Sequence, residues 1–86
     1  MDINQLISIV KCKINKNFLV EDLKIEDKSF LHAKHKTHEI GKFHLKIIII
    51  SQELKKMNKI ESTKKIYKIL DNELDKYIHS IQILIN

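Results

Sequence analysis

The chain has 86 residues, enough for one domain with a thin core and no second domain. Hydrophobic residues make up 43% and charged residues 31%, which excludes intrinsic disorder as the default state. The net charge is +5, and all sixteen basic residues are lysine, which excludes bidentate guanidinium readout of phosphate or guanine.

Asp2 and Gln5 have capping-box spacing, and Ile3, Leu6, Ile7, Val10 and Ile14 recur at helical intervals. They predict a first helix over 3–15, ended by Asn15-Lys16-Asn17. Phe18 to Asp27 reads as a half-buried strand, with Leu19, Glu21, Leu23 and Ile25 on one parity. Residues 28–43 read as a loop carrying Lys28, Lys34, Lys36, Lys42, three histidines and the only glycine, Gly41. His44 to Ile50 is the clearest strand, apolar on both faces and therefore expected at the sheet centre. Ser51 caps a short helix carrying Leu54 and Met57, which Asn58-Lys59 breaks. A longer helix is expected from Glu61-Ser62 through Tyr77, with Ile60, Tyr67, Leu70 and Leu74 on one stripe, widened by Ile66 and Ile69. Ile78 to Ile85 alternates as a last strand, with His79 in parity with Ile81, Ile83 and Ile85. The order is α-β-β-α-α-β. This is an α/β (α+β) domain, with three helices on one face of a small mixed sheet.

Cys12 is the only cysteine, so neither an intramolecular disulfide nor a thiolate zinc site is available. No apolar run is long enough to span a membrane, and the first residues lack signal-peptide character, so the expected compartment is the cytoplasm. Enzymatic chemistry has no positive signal. Cys12 has no partner base in sequence and reads as a small, partly buried residue. Glu26 and Asp27 read as a solvated strand end.

Two constellations stand out. Five histidines are present, and His32, His35, His38 and His44 fall within thirteen residues. Imidazole is the commonest protein metal ligand, but loop spacing fixes no geometry, so the spacing is a weak metal signal and a solvated, basic, histidine-rich loop is the favoured reading. His79 reads either as a ligand or as a histidine at the edge of an apolar face, satisfied by a backbone group. The second constellation is Lys55, Lys56, Lys59, Lys64 and Lys65 around the helix–helix junction. These could track nucleic-acid phosphates. The alternative is a solvated face in a chain whose Lys, Ile and Asn richness follows an AT-rich coding bias.

Several stretches resemble the BolA family. They are Leu23-Lys24-Ile25-Glu26-Asp27-Lys28-Ser29-Phe30-Leu31-His32-Ala33-Lys34-His35, then Gly41-Lys42-Phe43-His44-Leu45-Lys46-Ile47-Ile48-Ile49-Ile50-Ser51, then Ile66-Tyr67-Lys68-Ile69-Leu70, and Ile78-His79-Ser80-Ile81. The resemblance covers nearly the whole chain in the expected order. It implies a class II KH-like αββααβ fold and partnership with monothiol glutaredoxins bearing a CGFS motif. It further implies a [2Fe-2S] cluster shared with that glutaredoxin and glutathione. Carried over by position, the ligands are His79 and His32, with His35 as the alternative loop ligand and His44 as a structural residue near the site. Imidazole in place of thiolate gives a more neutral, higher-potential cluster. The alternative function is a KH-like nucleic-acid-binding transcriptional regulator, with DNA as a possible partner. Alone, the chain is expected to be a monomer or weak homodimer, without membrane attachment. Two departures weaken the nucleic-acid reading: Ser62, Thr63 and Lys64 replace the family's Arg-His-Arg, and Met57-Asn58-Lys59 replaces its glycine turn.

Overall fold

A computed structural model describes residues 1–29 and 43–86. Helix α1 spans Ile3–Asn17. The Asp2 side chain accepts from the Gln5 N–H, and the Gln5 side chain accepts from the Asp2 N–H, closing the capping box. The helix runs two residues past the predicted end, because the Asn17 side chain donates to the Lys13 carbonyl at 2.7 Å instead of breaking the turn.

Strand β1 spans Asp22–Asp27, later than the predicted start at Phe18. The backbone before it is already committed elsewhere. The Leu19 carbonyl accepts from the Ser51 hydroxyl at 2.7 Å, and the Leu19 N–H donates to the Glu53 carboxylate. Strand β2 spans Phe43–Ile50 and pairs antiparallel with β1 and parallel with the last strand, β3 (Ile78–Ile85). The sheet is mixed, three-stranded, with β2 central as predicted.

A parallel β2–β3 pair needs a crossover, and three helical segments supply it. Helix α2 is Gln52–Lys55, capped by the Ser51 hydroxyl; α3 is Lys59–Ile69, capped by the Asn58 side chain; α4 is Asp71–Lys76. The predicted single helix through Tyr77 is therefore two pieces. Leu70 departs from helical geometry at φ −101°, ψ 12°, and the chain turns there into α4.

Leu45, Ile47 and Ile49 of β2 are fully buried against Leu6, Val10 and Ile14 of α1 and Leu54, Ile66 and Leu70 of the crossover. Each such side chain contributes about 1.5–3 kcal/mol of hydrophobic stabilisation. The predicted α3 stripe is corrected: Ser62, Ile66 and Leu70 face the core, while Ile60 and Tyr67 lie on the exposed side. On the sheet's second face lie Lys24, Glu26, Lys46, Ile48, Gln82 and Leu84, and Leu84 is among the exposed apolar residues. One ion pair ties the helix layer together. Lys13 Nζ on α1 contacts both carboxylate oxygens of Glu73 on α4, at 2.7 and 2.9 Å. Burial by itself raises the Glu73 pKa, but hydrogen bonds from Lys13 and Asn72 outweigh it and hold the carboxyl below its ordinary value. Among the described residues no helix is long and apolar enough to cross a membrane.

A candidate histidine site at the head of β3

The site is built where β2 and β3 begin. Phe43 pairs with Ile78, and the next β2 residue, His44, pairs with Ser80. His79 is the extra residue in this register shift, a bulge in a parallel pair. The bulge breaks the alternation on which the sequence reading rested. Ile78 takes the core position at 3% exposure, and His79 is exposed instead of sharing the apolar face of Ile81, Ile83 and Ile85. Its ring lies 4.9 Å from that of His44, tilted by 56°.

His44 is 6% exposed and held on three sides. Its N–H donates to the Ser29 hydroxyl at 3.0 Å, and its carbonyl accepts from the Lys28 N–H at 2.7 Å. Its ring Nδ1 meets the Ser80 hydroxyl at 2.6 Å. Ser29 is in turn fixed by a turn in which its N–H donates to Asp27 Oδ1 at 2.9 Å. Phe43 is tied to the same corner, its N–H donating to the Tyr77 carbonyl at 2.8 Å. Both roots of the 30–42 segment, Ser29 and Phe43, are thus fastened beside the two imidazoles. His32 and His35, the loop ligands expected from the sequence, lie outside the described residues, as does His38.

The acids at the end of β1 are occupied structurally. Asp27 makes the turn to Ser29, and Glu26 pairs with Lys28 at 3.3 Å, whose hydrogen bond lowers the Glu26 pKa. Cys12 is exposed, not partly buried as expected. Among the described residues no group of three or more His, Cys, Asp or Glu side chains could enclose a metal. His79 offers an accessible imidazole, which fits one ligand of a metal centre whose other ligands come from elsewhere.

The five candidate lysines are all exposed, and two of them, Lys55 and Lys59, lie at the other end of β3. Lys55 and Lys59 flank a groove between the α2–α3 turn and residues 83–86, while Lys59 and Lys64 flank Ile60 and Tyr67. Lys56 and Lys65 line neither. Ser62, at a family arginine position, is buried and donates to the Lys59 carbonyl at 3.1 Å.

The family model for BolA-like proteins matches residues 14–86. The chain belongs to the BolA family. A curated BolA relative, the DNA-binding transcriptional regulator BolA of Haemophilus influenzae, is 33% identical over 75 residues, covering 87% of this chain and 70% of the relative. Among solved structures, BolA1 from Arabidopsis thaliana superposes with a TM-score of 0.75 at 28% identity, covering 92% of this chain and 87% of that one. The BolA domain of SufE1 from the same plant gives 0.78 at 22% identity, covering all of this chain and 93% of that domain, and supports the fold. The structure thus carries the BolA fold, and its crossover holds three helical segments where the sequence pattern predicts two.

Sequence reasoning missed three contributors to the site: Ser80, Ser29 and the bulge itself. A serine after the histidine of a last strand is the only sequence trace of the first. The other two depend on long-range register.

Proposed function

We propose that this BolA-like chain is a non-enzymatic adaptor for iron–sulfur cluster assembly, trafficking or iron regulation, sharing a [2Fe-2S] cluster with a monothiol CGFS glutaredoxin and glutathione. The observation that carries this reading is His79, exposed at the bulge beside a fixed His44. His79 is the ligand from the strand, and His32 or His35 the ligand from the loop. The bound cluster supplies the redox and iron chemistry. This chain's part is to present imidazole at a corner held by Ser29, His44 and Ser80.

Co-expression with a CGFS glutaredoxin tests the proposal. A coloured heterocomplex is expected, with visible absorption and circular dichroism different from those of the glutaredoxin alone. Substituting His79→Ala should change that spectrum and shorten the complex's lifetime. An unchanged spectrum and lifetime would remove His79 as a ligand.

A second reading follows from the curated relative, whose name describes a DNA-binding transcriptional regulator. Here Lys55, Lys56, Lys59, Lys64 and Lys65 would contact phosphates. It predicts binding that weakens steeply with salt, with a slope reduced by about 0.9 per phosphate contact removed. No duplex or single-strand binding at low salt would dismiss it.

A further inference from the structure

The two edges of the sheet are built differently. In β1, Asp22, Lys24, Glu26 and Asp27 put charge on four of six residues. In β3 none of eight residues is Lys, Arg, Asp or Glu, and four are isoleucine. Long uncharged edges pair readily, and proteins normally blunt them with charge, as β1 does.

No described residue pairs with the outer edge of β3. The Asn86 N–H donates to the Ile49 carbonyl at 2.8 Å, and the Asn86 carbonyl accepts from the Ser51 N–H at 3.1 Å. Alternation along the strand then turns Leu84, Gln82 and Ser80 toward β2 as well. The main-chain groups of Ile81, Ile83 and Ile85 face outward.

The flanks of this edge are complementary to each other. At its C-terminal end a groove of about 250 Å³ is lined by Leu54, Met57, Ile83 and Ile85, with Lys55 and Lys59 along it. Its N-terminal end follows α4, where Asp71 and Asp75 are exposed together with Lys76, leaving a net negative charge. An edge that is basic at one end, apolar in the middle and acidic at the other matches its own reverse.

We propose that two copies of this chain join β3 to β3 antiparallel about a two-fold axis at Gln82. This register sets Gln82 opposite Gln82, and Ile81 opposite Ile83 of the second copy. The isoleucines stay on the helix-covered face, Ile81 of each copy lies against the other's Leu54–Met57 groove, and the outward main-chain groups are paired. The basic α2–α3 turn of each copy then meets the acidic α4 of the other. The result is an isologous dimer with one continuous sheet.

Sedimentation equilibrium from about 10 μM to about 1 mM tests the dimer. Gln82 is exposed, so Gln82→Lys leaves the core intact, which circular dichroism verifies. It sets two ammonium groups face to face on the axis, and the dimer Kd should weaken at least about tenfold. Lys59→Glu should weaken it as well, and Lys59→Glu combined with Asp75→Lys should recover most of the loss. A chain that stays monomeric throughout this range would overturn the proposal, including one whose groove instead takes a fluorescent oligothymidine at low salt. A dimer indifferent to both Gln82→Lys and the charge exchange would overturn it too.

Discussion

The two ends of β3 carry the two candidate sites, and they are made in different ways. Six residues at about 3.3 Å each separate His79 from Ile85, so the imidazoles and the lysine groove lie roughly 20 Å apart. At the head of the strand, position comes from long-range bonding. A register shift selects His79, Ser80 holds the His44 ring, and Ser29 and Lys28 hold its backbone. At the tail, the lysines are exposed side chains on α2, the α2–α3 turn and the first half of α3, positioned by local capping at Ser51 and Asn58. Ordered geometry is what metal ligation requires, whereas a cluster of solvated ammonium groups serves less directional contacts. The difference favours the head of β3 as the specific site and the tail as a surface.

The sharpest way to break this comparison is His79→Ala. It should change the cluster's visible spectrum in the glutaredoxin complex and shorten the complex's lifetime while leaving the melting temperature nearly unchanged, since the side chain is exposed. Thermal unfolding beside visible circular dichroism checks both at once. A loss of fold instead would make His79 structural.

The next effect concerns the support beneath that end. Lys13→Met strands the Glu73 carboxylate, which is 3% exposed, and should cost about 2 kcal/mol in urea unfolding near neutral pH. The sign of the pH dependence follows from the lowered Glu73 pKa. The stabilisation is complete above the ordinary glutamate range and is lost as pH falls through the lower folded value. The wild-type chain should therefore lose stability on acidification through that range. Lys13→Met should lose less, because its Glu73 no longer has a depressed pKa to give up.

Ser80→Ala removes the hydroxyl at 2.6 Å from His44 Nδ1 and should cost about 1 kcal/mol. It should alter the cluster spectrum less than His79→Ala does, which separates a positioning residue from a ligand. The smallest effect is expected at the tail. Lys64→Ala and Lys65→Ala should leave stability within about 0.5 kcal/mol and the glutaredoxin complex unaltered. Any binding of nucleic acid would lose salt slope, measured by fluorescence anisotropy across a salt series.

Much of this architecture was legible in the residues. The Asp2–Gln5 box and the Leu6, Val10, Ile14 spacing located α1, and four consecutive isoleucines located the central strand. The errors share a cause. Phe18 to Glu21 looked like a strand because its side chains suit one, but Ser51 and Glu53, more than thirty residues away, claim the Leu19 backbone. Ile60 and Tyr67 look like core by composition, yet the helix phase that buries Ser62 and Ile66 turns them outward. His79 stands out by its position, but strand parity places it on the apolar face, whereas the bulge leaves it exposed. A bulge is a property of two strands together, and one strand's sequence does not record it. The loop histidines His32 and His35 lie outside the described residues, so their roles rest on the family pattern.

The central claim is that His79 supplies a nitrogen ligand from this chain to a cluster held with glutaredoxin. The direct measurement is pulsed electron paramagnetic resonance on the reduced heterocomplex, with this chain's histidines labelled with nitrogen-15 and the glutaredoxin unlabelled. Strong nitrogen-15 hyperfine coupling from the labelled chain is predicted, with one coupling lost in His79→Ala. A reduced cluster with no strong nitrogen-15 coupling, or with couplings unchanged by that substitution, would contradict the account.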